Sequence, residues 1–236
     1  MTDVVIYRII SVLIGYVLGN FTMGYFMGKI KNVDVTKEGS GNVGSTNTLR
    51  TMGVKAGAIT FAVDFIKAVI AMFIVYFLFR NKVDFIGTYM IYAGVGAILG
   101  HDFAILLKFK GGKGIATSAG LVAIMFPTIF FISLTIFILT VVITRYVSLG
   151  SLIGSVAYGV LVVLFGQLGW LTFEGIPWLN YPTECLPEIY VVMLFATALA
   201  IFQHRANIVR LIKHEENKFS FHSKKDKTAE NKKTVD

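Results

Sequence analysis

The sequence predicts an all-α, polytopic integral membrane protein of about seven transmembrane helices. Three observations lead there. Hydrophobic residues make up 55% of the 236-residue chain and charged residues only 15%, with a mean hydropathy of +0.70. Long apolar runs with few charges are the mark of membrane spans. The runs are continuous rather than alternating, which argues against a β-barrel. Lysine and arginine outnumber aspartate and glutamate by 22 to 14, and they gather between the runs and in the tail. That is the distribution of cytoplasmic segments rather than the footprint of a nucleic-acid binder. The single cysteine, Cys185, leaves no internal disulfide and no Cys-based metal cluster.

The opening residues MTDVV lack a basic stretch and no small-residue cleavage site follows. The first span, roughly Val4 to Gly28, therefore reads as a retained helix. Gly15 and Gly19, then Gly24 and Gly28, are four apart, a spacing that lets helices approach closely in lipid. Arg8 lies near the end of this span and is expected to snorkel to the interface. Lys29, Lys31, Lys37, Arg50 and Lys55 outnumber Asp34 and Glu38, which puts the first polar loop inside.

The second span, roughly Ala56 to Phe79, contains Asp64 and Lys67 on one helix face. A mid-membrane charge costs about 2.5–3.5 kcal/mol on insertion scales, so both should face protein or a polar cavity. Fastening two helices and supporting a site are equally open roles for the pair. Arg80 to Asp84 reads as an outer turn, and a third span, roughly Phe85 to Leu106, returns inside.

Ile115 to Thr144 is then an apolar run too long for one crossing. Pro127 predicts a break into two shorter helices. Without it the basic tail would emerge outside, against the positive-inside rule. A further span, roughly Leu149 to Trp170, leads to an outer loop, Leu171 to Pro187, carrying Glu174 and Glu184 and no lysine or arginine. Trp170, Trp178 and Tyr181 are expected at headgroup level there. The last span runs roughly from Glu188 to Phe202. The N-terminus is thus expected outside and the C-terminus in the cytoplasm. Residues 1–216 form the membrane domain, followed by a basic, disordered cytoplasmic tail, 217–236, suited to anionic lipid.

On this topology four polar clusters share the cytoplasmic face. The first is Lys37 to Arg50, KEGSGNVGSTNTLR. Its glycines permit tight turns and close backbone approach. Ser40, Asn42, Ser45, Thr46 and Asn47 add short polar side chains, and Arg50 falls in the next helix. Such a stretch suits phosphate oxygens, and it also makes an ordinary solvated loop. It does not match G-x-x-x-x-G-K-[ST], which argues against a nucleoside triphosphatase. The second, Lys108-Phe109-Lys110-Gly111-Gly112-Lys113-Gly114, sets lysines among glycines at a helix start: an anion site or a positive-inside anchor. The third is Arg145 to Ser148. The fourth, His204-Arg205-Ala206-Asn207-Ile208, places His204 and Asn207 on one helical face.

GSGNVGSTNTLRTMG, GHDFAILLKFKGGKGIATS and HRANIVRL together resemble the three motifs of the PlsY-type bacterial glycerol-3-phosphate acyltransferases, in order and over nearly the whole chain up to Glu216. His214 stands where that pattern has glycine, Ala68 follows Lys67 in place of glycine, and Ser45 replaces a common alanine. The resemblance implies a multi-pass enzyme of the bacterial cell membrane that moves a fatty acyl group from acyl phosphate to the 1-hydroxyl of glycerol 3-phosphate, releasing lysophosphatidate and phosphate. It implies one phosphate site from Ser40, Gly41, Asn42, Gly44, Thr46, Asn47 and Arg50. It implies a second around Lys113 with Lys110, Gly111, Gly112 and Gly114, and Ser148 nearby. His204, Asn207 and Lys113 become the catalytic candidates, with Asp64 and Lys67 in support.

The partners implied are glycerol 3-phosphate, acyl phosphate and membrane lipid, with no cofactor, metal or nucleic acid. The His-x-x-x-x-Asp pattern of the other large acyltransferase class is absent. A substrate phosphate and His204 both stand as acceptors of the hydroxyl proton. An anion transporter is the competing class, but its charges belong at the midplane rather than on one side. A membrane scaffold would give no reason for GGKG or HRAN.

Overall fold

The computed structural model describes residues 2–172 and 175–219. Glu174 and the tail beyond residue 219 lie outside them. All regular elements among the described residues are helical: α1 Thr2–Gly19, α2 Met23–Ile30, α3 Ser45–Met52, α4 Val54–Phe79, α5 Ile86–Asp102, α6 Ile115–Met125, α7 Pro127–Thr144, α8 Val147–Gln167, α9 Leu186–Gln203 and α10 Arg205–Ile212, with three single 3₁₀ turns. Among the described residues, six stretches are long and apolar enough to cross a bilayer: Val4–Ile30, Val54–Phe79, Ile86–Leu107, Pro127–Thr144, Val147–Gln167 and Thr183–Gln203. The expected seventh corresponds to α6, which is apolar but only 11 residues long.

α5 is the axis of the bundle. It is apolar all round and buried on nearly every face, as a central helix must be. α1 packs directly on its backbone. A Cβ on Gly15 would fall 1.9 Å from the Ala93 carbonyl oxygen, and one on Gly19 2.3 Å from that of Ala97. The relation is reciprocal, because Gly96 and Gly100 of α5 would meet Val12 and Tyr16 carbonyls at 2.3 and 2.1 Å. The sequence reading anticipated the α1 half of this seam. Gly24 meets the Val43 carbonyl instead, so the second glycine pair seats a loop.

Three details depart from expectation. The first span is not one helix but breaks at Asn20–Thr22. The Lys67 ammonium donates to the carbonyls of Gly19 and Phe21, both at 3.0 Å, and pairs with Asp64 Oδ1 at 2.9 Å. Asp64 Oδ1 in turn faces the Met23 N–H at 3.5 Å. A cation thus caps the C-terminal end of α1 and an anion the start of α2, as helix polarity favours. Arg8 does not simply snorkel. It makes a two-pronged pair with Glu188 at the start of α9, beside the rings of Tyr89 and Tyr92. Of the aromatics assigned to headgroup level, Trp170 is largely exposed, whereas Trp178 packs edge-on against Phe73 and Tyr76, and Tyr181 is buried.

Tyr181 belongs to the break in the long apolar run. That break falls at Phe126 (φ −142°, ψ 66°), because a residue before proline is driven out of the helical region. The freed end of α6 is completed by Tyr181, whose hydroxyl donates to the Met125 carbonyl at 2.9 Å. Tyr181→Phe is therefore expected to cost about 1–3 kcal/mol, the penalty of an orphaned buried carbonyl. The turnover rate should be untouched. A thermal unfolding midpoint equal to that of the wild type would refute this role.

Candidate active site

The first polar cluster is held open by its own asparagines. Asn47 is buried and committed: Nδ2 donates to the carbonyls of Val35 (3.1 Å) and Glu38 (3.0 Å), and Oδ1 accepts the Ser40 N–H at 2.8 Å. Asn42 Oδ1 accepts the Gly44 N–H at 2.8 Å. Gly39 and Gly41 adopt φ of 63° and 70°, and a Cβ on Gly39 would strike Asn47 Oδ1. The loop therefore folds over the start of α3 and leaves Ser40, Thr46 and Arg50 turned to the space beyond.

GGKG is shaped by what lies beneath it. The N–H groups of Gly111 and Gly112 donate to the Asp102 and His101 carbonyls, both at 3.0 Å, folding the loop back over the end of α5. A Cβ on Gly112 would lie 2.0 Å from His101 Nε2, and Gly114 has φ 66°. His101 Nδ1 lies 2.7 Å from the Lys67 Nζ and 3.5 Å from Asp64 Oδ1. These glycines serve packing first, and they deliver Lys113 to the start of α6.

Lys113 meets Asn207 Oδ1 in a short contact. Asn207 Nδ2 donates to Glu216 Oε2 at 3.0 Å, and Arg210 Nε reaches the same oxygen at 3.1 Å. The Arg50 guanidinium donates to the Asn217 carbonyl at 3.1 Å, and the Phe219 N–H donates to the Arg145 carbonyl at 2.7 Å. Residues 215–219 thus form a strap over the site. His214, at the turn into the strap, has φ 57°, the backbone region that favours glycine.

One cavity gathers these parts. Ser40, Asn42, Gly44, Thr46, Asn47, Arg50, Lys113, Gly114, Ser148, His204 and Asn207 all line it. Gly41, Lys110, Gly111 and Gly112 do not; they face a neighbouring cleft with Asp102, Gln203 and Arg205. The cavity is also lined by Asp64, His101 and Glu216, and by the apolar side chains of Phe61, Ile115, Phe137 and Val147. Asp64 had a sequence signal, an acid inside an apolar run. Phe61 and Phe137 had none among 20 phenylalanines.

The electrostatics favour anions. α3, α6, α8 and α10 all start at the cavity, through Gly44–Thr46, Gly114–Ala116, Val147–Ser148 and His204. A first helical turn has N–H groups without intrahelical partners and the positive pole of the helix dipole. Burial pushes Lys113 down to about 8, with Arg210 and Arg50 adding to the effect and Glu216 opposing it. Burial, then the Lys113 charge, pushes His204 down to about 4. His204 is therefore neutral at pH 7. Its Nδ1 is 2.7 Å from the Ala200 carbonyl and carries the proton, which leaves Nε2 as an acceptor. Arg50 is lowered by burial, against the charge of Glu216.

Comparison with known proteins agrees with this arrangement. A family model described as glycerol-3-phosphate acyltransferase matches residues 9–214. Proteins named glycerol-3-phosphate acyltransferase from Thermoanaerobacter sp. (strain X514) and Clostridioides difficile (strain 630) are 38% and 39% identical, over 90% and 89% of this chain and 96% and 94% of their own. A crystal structure of PlsY, an integral membrane glycerol 3-phosphate acyltransferase, in its glycerol 3-phosphate form superposes with a TM-score of 0.75 at 30% identity, covering 90% of this chain and 96% of that one. Its lysophosphatidic acid form gives 0.71 at 31%, covering 91% and 96%. With matches of that length in sequence and fold, the chain belongs to the PlsY family of glycerol-3-phosphate acyltransferases.

Proposed function

We propose that the protein transfers a fatty acyl group from acyl phosphate to the 1-hydroxyl of glycerol 3-phosphate, giving lysophosphatidate and inorganic phosphate. The observation that carries this reading is the polarity of the cavity. Its lining combines four helix starts, Lys113 and Arg50 with the apolar side chains of Phe61, Ile115 and Phe137. That pairing fits two phosphate groups and an alkyl chain. An acyl phosphate is already activated, so the protein needs chiefly to hold both substrates in line and offset charge as it moves to the leaving phosphate. Lys113 and Arg50 do the offsetting. Asn207, oriented by Glu216, keeps Lys113 in place, and neutral His204 accepts a hydrogen bond through Nε2. No step needs a cofactor or metal.

The same reading places the N-terminus outside and the cavity and basic tail 217–236 on the cytoplasmic side, with α6 as the seventh crossing. The lysine and arginine distribution supports this. One experiment tests donor and sidedness together, using sealed membrane vesicles of known orientation and radiolabelled glycerol 3-phosphate added outside. Label should enter lipid with acyl phosphate, in inverted vesicles only. Comparable rates with acyl-CoA or acyl carrier protein, in preparations free of other acyltransferases, would overturn the donor; activity in right-side-out vesicles would overturn the orientation.

A further inference from the structure

The carboxylate of Asp64 is only half used by the fold. Its side chain is 1% exposed. Oδ1 takes the Lys67 ammonium and faces the Met23 N–H, so the whole structural role, joining α1, α2 and α4, falls on that oxygen. Oδ2 is buried and has no hydrogen-bond partner. A buried carboxylate oxygen without a donor carries a desolvation penalty. Asp64 also lines the cavity, alongside His101. Phe61, one turn earlier on α4, lines the same cavity, as do Lys113 and Gly114. The free oxygen therefore belongs to a residue that shares the cavity with both kinds of group.

We propose that Asp64 is a further catalytic residue, whose Oδ2 accepts the hydrogen bond of the glycerol hydroxyl that attacks the acyl carbon. This rests on the substrate reading above. The carboxylate repels a phosphate and gains nothing from an alkyl chain, which leaves hydroxyl as the complementary group on either substrate. With the phosphate of glycerol 3-phosphate at Lys113 and Arg50, and the acyl chain running towards Phe61 and Phe137, the attacking hydroxyl falls between the two. There Asp64 turns an oxygen lone pair towards the carbonyl carbon. As the new carbon–oxygen bond forms, the bond from that carbon to the phosphate oxygen breaks; the hydroxyl proton passes to Asp64 Oδ2 and from there to the departing phosphate, which leaves as hydrogen phosphate and returns Asp64 to its carboxylate form. Lys67 and the four helix starts offset the added negative charge.

The test compares binding of glycerol 3-phosphate with that of its analogue carrying hydrogen in place of the 1-hydroxyl, by calorimetry on protein in lipid nanodiscs. A hydrogen bond to a charged acceptor corresponds to a preference of roughly ten- to a hundredfold for the hydroxylated ligand in the wild type. Asp64→Asn should reduce that preference to below about threefold through weaker binding of glycerol 3-phosphate, with the analogue's own affinity little changed. Should Asp64→Asn fail to fold, the double change Asp64→Asn with Lys67→Gln removes both charges at once and leaves none unpaired. A purely structural Asp64 would weaken both ligands alike and keep the preference, and that result overturns the proposal. So does a wild type with no preference. Failure of the wild type to bind either compound would instead overturn the substrate reading, and this inference with it.

Discussion

Lys113→Ala lowers kcat/KM for glycerol 3-phosphate by roughly ten- to a hundredfold, without shifting the unfolding midpoint downward. The ammonium is held at the start of α6 by Asn207 and faces the cavity. A charge-assisted hydrogen bond made as charge moves to the leaving phosphate is worth about 1.5–3 kcal/mol, which sets that range. Stability need not fall, because the variant also removes a partly buried charge. A pH profile adds an independent check. The free-enzyme value of about 8 means that the ammonium loses its proton as pH rises through 8, so kcat/KM should decline on that limb. Lys113→Arg should abolish the decline, since a guanidinium stays charged. Lys37 is the control. Its side chain is 83% exposed and its pair with Asp34 is a surface contact at 3.5 Å, so Lys37→Ala should change little. Near-normal kcat/KM for Lys113→Ala would remove the GGKG loop from the chemistry.

Gly15→Leu abolishes folding. The α1–α5 seam has backbone against backbone, with Gly15 and Gly19 meeting Ala93 and Ala97 while Gly96 and Gly100 meet Val12 and Tyr16. Even Gly15→Ala must push the helices apart, at about 1–3 kcal/mol. An isobutyl group separates them further and strains the Arg8–Glu188 pair and the caps that Lys67 places on α1. Gel filtration should show aggregated Gly15→Leu protein and a lowered unfolding midpoint for Gly15→Ala. A monodisperse Gly15→Leu protein with unchanged melting would show that the helices do not touch there.

What the sequence made legible follows from how local each cause is. Pro127 acts on its immediate neighbour, so the break in the apolar run was readable to within a residue. Asp64 and Lys67 announced themselves by cost, as charges in an apolar helix. The kink at Asn20–Thr22 was hidden because Gly19 lay inside a run already read as one span, and the ammonium that caps the freed carbonyls is 46 residues away from Phe21. The α5 half of the glycine seam was overlooked because Gly96 and Gly100 sit in a run already explained as a span. The strap was invisible for the same reason as the kink, since Arg50 and Asn217 are 167 residues apart. The cavity's membership was largely readable, because most of its polar residues are concentrated in four short stretches. Its apolar wall was not, because Phe61 and Phe137 look like every other lipid-facing phenylalanine.

The convergence of α3, α6, α8 and α10 on one point limits what side-chain mutagenesis can reveal here. Much of the attraction for phosphate comes from peptide groups, which no alanine substitution removes and no change of pH between 4 and 9 neutralises. Scanning the cavity residue by residue should therefore divide its effects unevenly, with turnover falling steeply at Lys113 while substrate affinity erodes only slightly at each position. Inorganic phosphate should compete with substrate even in crippled variants. A compound designed to block the site would gain more from a compact dianion that touches several chain starts at once than from any single contact to a lysine or an arginine.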